Sequence, residues 1–281
     1  MRTRILSSIV MVGGLLALLF LLPPVAFTIF LVFFSMVASI ELQQMLCADR
    51  ARGGLFLTAG ATTFAAFAPA LLSLPSGAPF SSEHALLIAS ALIVAGSLFA
   101  GASDLRERLQ RLMGDLFGLL YLSLTLPSIL ELYQRDTTHG AFFLLALLIT
   151  AGGDTGGYFA GRAFGRRKLA PLLSPKKTWE GYFGGLLLGG AAAAVAIHQF
   201  PACASLGWSD IALLSVVGVS LGVLGDLFES LIKRGVGAKD SGTLIPGHGG
   251  VLDRVDGLLF VAPFVLAYLE FVAPLTSGLP S

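Results

Sequence analysis

The segment SLIKRGVGAKDSGTLIPGHGGVLDRVD, residues 230–256, concentrates charge and glycine in a chain that is otherwise largely apolar. It contains six glycines, three aspartates, four lysines or arginines and one histidine, and an apolar run adjoins it on each side. Carboxylates bind hard cations, basic side chains bind phosphate, and glycines let backbone amides approach an anion. The segment therefore predicts a metal-assisted phosphoryl or nucleotidyl transfer site.

The composition outside this segment is that of a membrane protein. Hydrophobic residues make up 55% of the chain and charged residues 12%, and the mean hydropathy is +0.84. Soluble domains contain about 25% charged residues, so we predict an all-α, polytopic integral membrane protein. The net charge of +1 argues against nucleic acid as a partner, which requires a broad basic surface.

Nine segments are long and apolar enough to be candidate transmembrane helices. We expect an uncleaved first span, and a short amphipathic helix or a charged connector at 103–113. Residues 1–140 would hold five spans for anchorage and lipid access, and residues 141–281 would hold four spans and the catalytic region. The nine predicted spans lie near 5–22, 25–46, 55–72, 84–102, 114–130, 141–160, 182–197, 211–228 and 251–272.

The distribution of basic residues predicts the orientation. With a cytoplasmic N-terminus, all but one of the 18 lysines and arginines fall on the cytoplasmic side, and the exception is Arg135. Cytoplasmic loops carry an excess of Lys and Arg, so the predicted site faces the cytoplasm, where nucleotides are found.

Paired carboxylates adjoin the last two predicted spans. Asp226 and Glu229 are three residues apart, as are Asp253 and Asp256, and on a helix this spacing places both acids on one face. Mg²⁺ takes one or two carboxylates together with waters and substrate phosphates. We predict a metal site at Asp226, Asp253 and Asp256; the alternative is that these acids only mark helix ends at the water boundary.

Asp154 lies within an apolar run between glycines, in TAGGDTGGYFAG. An intramembrane carboxylate is costly and usually faces a protein-lined or wet cavity; the alternative is an ion pair that holds helices together. Two basic loops are candidates for binding phosphate, although the positive-inside rule alone would also explain them. The lysines and arginines concerned are Lys176, Lys177, Lys233, Arg234 and Lys239.

At these residues the chain resembles the phosphatidate cytidylyltransferases, also called CDP-diacylglycerol synthases. The run S-x-I-K-R-x4-K-D-x-G-x2-I-P-x-H-G-G-V-x-D-R-V-D over 230–256 is similar to the signature of that family throughout. The segments DTGGYFAGRAFG (154–165), SPKKTWEG (174–181) and GDLFES (225–230) also resemble it. The motifs thus cover about 150–260, whereas 1–140 is similar only in being multispanning.

The resemblance implies an enzyme of the bacterial inner membrane that converts CTP and phosphatidate into CDP-diacylglycerol and pyrophosphate. It also implies Mg²⁺, a monovalent cation such as K⁺, and a homodimer. By this resemblance Asp226 and Asp253 are the metal-binding acids, and both join Lys239 and His248 as catalytic candidates. The substrate-binding candidates are Asp154, Lys176, Lys177, Lys233, Arg234 and Arg254.

Two other functions remain open from the sequence. A CTP-dependent polyprenol or dolichol kinase would share the membrane setting and some motifs, but the unbroken 230–256 run argues against it. A transporter would account for the intramembrane Asp154, but the other acids lie near predicted span ends.

Overall fold

The computed structural model describes residues 2–47, 52–72, 81–99, 104–136, 140–242, 244 and 249–273, and these residues are almost entirely helical. Its helices are α1 Arg2–Phe20, α2 Pro24–Leu46, α3 Arg52–Leu71, α4 Ser82–Phe99, α5 Leu105–Gln134, α6 Ala141–Phe164, α7 Trp179–Gln199, α8 Trp208–Gly235 and α9 Leu258–Ala267. Single turns of 3₁₀-helix occur at Pro201–Cys203 and Leu252–Arg254, and a π-helical turn, Tyr268–Val272, extends α9.

Hydropathy predicts these helices well. Six helices of the described residues are long and apolar enough to cross a membrane, namely α2, Gly53–Leu71 of α3, α5, α6, α7 and α8. The other three predicted spans coincide with shorter apolar helical segments, Val10–Phe20, Ser82–Leu98 and Leu258–Val272. The chain is therefore a nearly all-helical, multi-pass membrane protein.

Three local features differ from the sequence predictions. A two-stranded antiparallel hairpin, β1 Lys168–Ala170 and β2 Ser174–Thr178, precedes α7. The basic segment that follows residue 103 is the start of the continuous helix α5, not a separate short helix. Asp226 lies within α8, and Asp253 lies in a 3₁₀ turn before α9 rather than at the beginning of a helix.

The chain divides into two units, and the first comprises Met1–Pro127 with Val236–Asp253. Within it α2 packs on α3, and α3 packs on α4. Small residues make these contacts close, because lipid supplies no hydrophobic drive for association and close backbone packing must stabilise the helices instead. A buried cluster of the same unit joins α3, α4 and α5 and consists of Ala61, Ala65, Ala89, Ile93 and Leu119.

The second unit comprises Ser128–Gly235 and Arg254–Ser281. Its tightest packing joins α6 to α7, where Gly156 faces Gly184. A Cβ atom at Gly156 would lie 2.8 Å from Leu188 Cβ and still closer to the carbonyl oxygen of Gly184. Real Cβ atoms essentially never approach other atoms below 3.0 Å, so only glycine allows these two helices to pack as they do.

Candidate active site

The β1–β2 hairpin positions the two lysines of the SPKKTWEG motif. Lys168 pairs with Thr178 and Ala170 with Ser174, so Lys176 and Lys177 lie on β2. Thr178 is the N-cap of α7, because its hydroxyl accepts a hydrogen bond from the amide of Gly181 at 3.1 Å. Glu180 accepts hydrogen bonds from the amides of Arg166 and Arg167 at 3.0 and 3.2 Å. The first turn of α7 therefore fixes both ends of the hairpin.

A cavity of about 450 Å³ lies between this hairpin and helices α6, α7 and α8. Four of the predicted site residues line it, although they are spread over three motifs: Asp154, Lys176, Lys177 and Asp226. Glycines form much of its remaining wall, at positions 153, 157, 161, 181 and 185. A ligand can therefore lie close to the backbone of α6 and α7.

An ion pair between Lys177 and Asp226 lies at the wall of this cavity. The Nζ atom of Lys177 lies 2.6 Å from Oδ2 of Asp226, and both side chains are partly exposed. The other carboxylate oxygen, Oδ1, accepts a hydrogen bond from the hydroxyl of Ser230 at 3.3 Å. Asp226 thus holds the ammonium group of Lys177 at the wall of the cavity.

Charges of both signs surround Asp154. Lys177 and Arg254 act on it as neighbouring positive charges, and Asp226 and Asp256 as negative ones. Asp154 is therefore part of a charged cluster in a protein-lined cavity. Such surroundings are compatible both with a functional carboxylate and with one that holds helices together through neighbouring cations.

A second ion pair lies one turn further along α8. Glu229 is fully buried, and its Oε2 lies 3.3 Å from Nζ of Lys233, which is also buried. Asp256 is close enough to Glu229, Asp226 and Lys233 to interact with all three. Asp226 and Glu229, which lie one turn apart on α8, thus form a group of carboxylates with Asp256, and Lys233 lies beside this group.

Asp253 belongs to the first unit, where its carboxylate contacts Ser241 and Gly250. Its Oδ2 accepts hydrogen bonds from the amides of Ser241 and Gly250, both at 2.8 Å, and lies 2.9 Å from the hydroxyl of Ser241. Gly249 has a φ of +81°, and a Cβ atom there would lie against the same carboxylate. Glycine is required at this position for both reasons.

The remaining predicted residues are more exposed. Arg234, Lys239 and Arg254 have exposed side chains, and Asp256 is half-buried. His248 lies outside the described residues. Across the described part of the chain, no three His, Cys, Asp or Glu side chains are grouped so that they could hold a metal ion.

Sequence reasoning missed several residues of this region. Tyr158, Arg162 and Tyr182 line the cavity, but their patterns indicate only interfacial aromatics and a positive-inside arginine. The hydroxyl of Tyr182 lies 2.7 Å from that of Ser220 on α8. Glu41 of α2 is a further omission: its position near a span end predicts contact with water, but its side chain is buried.

Comparison with known proteins identifies the family. The model of the cytidylyltransferase family matches residues 2–272. The phosphatidate cytidylyltransferase of Haemophilus influenzae is 36% identical over 287 aligned residues, which cover 97% of this chain and 99% of that protein. The phosphatidate cytidylyltransferase of Brucella suis is 46% identical over 158 residues, or 54% of each chain. That of Bacillus subtilis is 37% identical over 146 residues, 52% of this chain and 54% of its own. The chain belongs to the cytidylyltransferase family.

Proposed function

We propose that the chain is a phosphatidate cytidylyltransferase, which converts CTP and phosphatidate into CDP-diacylglycerol and pyrophosphate. The observation that carries this proposal is the convergence of Asp154, Lys176, Lys177 and Asp226 on one cavity among apolar helices. The family match over residues 2–272 and the names of the relatives support the same reaction.

The chemistry of this reaction fits a cavity with lysines and glycines in its wall. The phosphomonoester of phosphatidate has a second pKa near 6, so it is largely dianionic at neutral pH. It can attack the α-phosphorus of CTP without a strong general base. The barrier is then mainly the approach of a dianion to a polyanion, and positioned positive charges lower it.

Lys176 and Lys177 are the residues that meet this need in the cavity. Both lie on β2 and line a cavity of about 450 Å³, which has room for phosphate groups. Asp226 orients the ammonium group of Lys177 through the 2.6 Å ion pair. We infer that Lys177 binds a phosphate oxygen of a substrate while it remains within reach of this carboxylate.

The carboxylates of this region fit a hard cation by their chemistry. Asp226 and Asp256 interact as like charges beside the buried Glu229, and a divalent cation would relieve that repulsion. Because Mg²⁺ usually keeps several waters and binds substrate phosphates, it needs only one or two protein carboxylates. We propose that one or two of the candidates Asp226, Asp253 and Asp256 bind it, with Asp253 included on the ground of the sequence motif. Bound there, Mg²⁺ would neutralise charge on the phosphates of CTP.

The membrane arrangement is part of the proposal. The excess of Lys and Arg in alternate loops supports nine spans with the N-terminus and the site on the cytoplasmic side. In a bacterium this would be the inner membrane, where the acyl chains of phosphatidate can stay in the bilayer as its headgroup enters the cavity. A monovalent cation such as K⁺ and a homodimeric assembly are proposed from the family resemblance alone.

The position of the label in CTP distinguishes the candidate reactions. Detergent-purified protein is given phosphatidate with CTP labelled either at the α- or at the γ-phosphate, with Mg²⁺ or with EDTA. We expect the α-label in a CDP-lipid and the γ-label in pyrophosphate, both only with Mg²⁺ and neither with Asp253→Asn. Transfer of the γ-label to added polyprenol would replace this proposal with a lipid kinase, and no turnover of either lipid would reopen the transporter.

A further inference from the structure

Glu41 lies in an apolar helix, and its buried carboxylate binds residues about 200 positions later in the chain. It lies in α2 and is 5% exposed. Its Oε1 accepts a hydrogen bond from the amide of Val251, and its Oε2 accepts one from the amide of Leu252, both at 3.0 Å. Oε2 also lies 3.2 Å from the hydroxyl of Ser241. Glu41 therefore contacts both ends of the segment 241–252.

Two glycines of the signature segment make room for this carboxylate. A Cβ atom at Gly242 would lie 2.6 Å from Oε1 of Glu41, and one at Gly250 would lie 2.5 Å from Oε2. Both distances are below the 3.0 Å that real Cβ contacts respect. A side chain larger than glycine at either position would therefore collide with the carboxylate of Glu41. This lack of space supports the contact independently of the hydrogen bonds.

Ser241 connects Glu41 to Asp253. Its hydroxyl lies 2.9 Å from Oδ2 of Asp253 and 3.2 Å from Oε2 of Glu41, and it accepts a hydrogen bond from the amide of Asp253 at 3.3 Å. A hydroxyl has one proton and can donate to only one carboxylate at a time. Glu41 thus fixes the segment mainly through the two amides, and the segment in turn holds Asp253.

We propose that Glu41 is a positioning residue, which holds Ser241, Val251 and Leu252 of the signature segment in place and thereby fixes the carboxylate of Asp253 for the reaction. This inference rests on the proposed function, because it assigns to Asp253 a part in the chemistry. It also gives the N-terminal helices a role beyond anchorage, since α2 supplies the clamp.

Glu41→Gln is the sharpest perturbation. Both oxygens of Glu41 face backbone N–H donors, so an amide must turn its NH₂ group towards one of them and lose that hydrogen bond. The matched control is Asp210→Asn. Asp210 is equally buried and accepts hydrogen bonds from the amide of Gly207 and the hydroxyl of Tyr268, but it lies in the second unit.

Hydrogen–deuterium exchange measures the clamp without any substrate. In detergent micelles, we expect at least one of the amides of Val251 and Leu252 to exchange at least about tenfold faster in Glu41→Gln, because it loses the hydrogen bond that protects it. Asp210→Asn should leave their exchange unchanged. Wild-type exchange of both amides in Glu41→Gln would overturn the proposal, as would equal acceleration in the two variants.

Steady-state kinetics test the consequence for the reaction. If Glu41 acts through Asp253, then kcat falls by about tenfold to 100-fold, the size expected for a small misplacement of a reacting group. The KM for CTP stays near the wild-type value, because Lys176 and Lys177 lie on another element. Glu41→Asp keeps a carboxylate, so it should recover part of kcat. A rise in KM with unchanged kcat would contradict a positioning role.

A variant that fails to fold would not leave the proposal untested. Ser241→Ala keeps Glu41 and its two amide contacts but removes the hydroxyl that connects it to Asp253. We expect slow exchange of Val251 and Leu252 with a reduced kcat, and rapid exchange would overturn the clamp. If wild-type protein makes no CDP-lipid, then the proposed function fails, while the exchange measurement still decides whether Glu41 holds the segment.

Discussion

Replacing Gly156 with alanine should separate α6 from α7 and thereby disturb the candidate active site. The added Cβ would lie 2.8 Å from Leu188 Cβ and 2.9 Å from the carbonyl carbon of Gly184. Because carbon atoms pack best at about 3.5–4.0 Å, the helices must move apart by on the order of 1 Å. The atoms in the way belong to backbone and to a Cβ, so no side-chain rotation can relieve the contact.

The expected loss of stability follows from two opposing effects. Overpacking of this kind costs about 1–3 kcal/mol, and the clash involves backbone, which favours the upper value. Alanine regains about 1 kcal/mol of helix propensity over glycine. The net destabilisation is therefore about 2 kcal/mol, which corresponds to a fall in apparent Tm of about 4–8 °C. Since residues adjacent to Gly156 line the cavity, a shift of this size should also lower turnover by about 100-fold.

Gly222→Ala is the matched control for this experiment. It is also a glycine within a helix of the same unit, but its added Cβ would lie 3.5 Å from Val261 Cγ2, an ordinary contact. Tryptophan fluorescence during heating of the detergent-purified proteins gives the apparent Tm, and formation of the CDP-lipid gives turnover. Equal Tm and turnover in Gly156→Ala and Gly222→Ala would refute the argument that close α6–α7 packing shapes the site.

Two other predictions follow from single side chains. Lys177→Ala should lower kcat/KM for CTP by about 100-fold to 1000-fold, which is the effect of removing one positioned donor. Lys177→Arg should retain more activity. A wild-type kcat/KM in initial-rate assays of Lys177→Ala would contradict the phosphate-binding role. Burial and the nearby Asp136 raise the pKa of Cys203 to about 12, so in a Cys47→Ser background N-ethylmaleimide should label the protein at pH 8 only after denaturation. Because this folded-state pKa exceeds the ordinary value of 9.0, the contribution of Cys203 to stability is constant below about pH 9 and falls as the pH rises towards 12. Rapid labelling of the folded protein would show that Cys203 is accessible.

Much of the helical fold could be predicted from the sequence, because each helix carries its own apolar signal. The hairpin at 168–178 could not. Its strands have three and five residues, and β2 contains proline and lysines, which have low strand propensity. It forms because α7 organises it, through the Thr178 cap and the hydrogen bonds that Glu180 accepts. That cause lies in tertiary context rather than in the strands themselves.

The candidate site was predictable where chemistry is concentrated in short motifs. Asp154, Lys177 and Asp226 are conspicuous charges beside apolar runs, and the structure brings them to one cavity. Glu41 has no comparable signal, because its partners lie 200 or more positions away. The one available signal is that no lysine or arginine lies within eight positions of Glu41, so groups elsewhere in the chain must satisfy its charge.

The acids proposed to bind the metal lie within about 30 positions of the sequence, but they are held by different elements. Asp253 depends on Ser241, Gly250 and, through Ser241, on Glu41 of α2. Asp226 depends on Lys177 from the hairpin and on Ser230 of its own helix. A substitution in α2 and one in β2 should therefore impair the same reaction through different carboxylates, the first mainly in kcat and the second also in the binding of CTP. Because both carboxylates are proposed ligands of one Mg²⁺, the two effects should be non-additive in the double variant, and simple addition of their free energies would mean that the two carboxylates act independently.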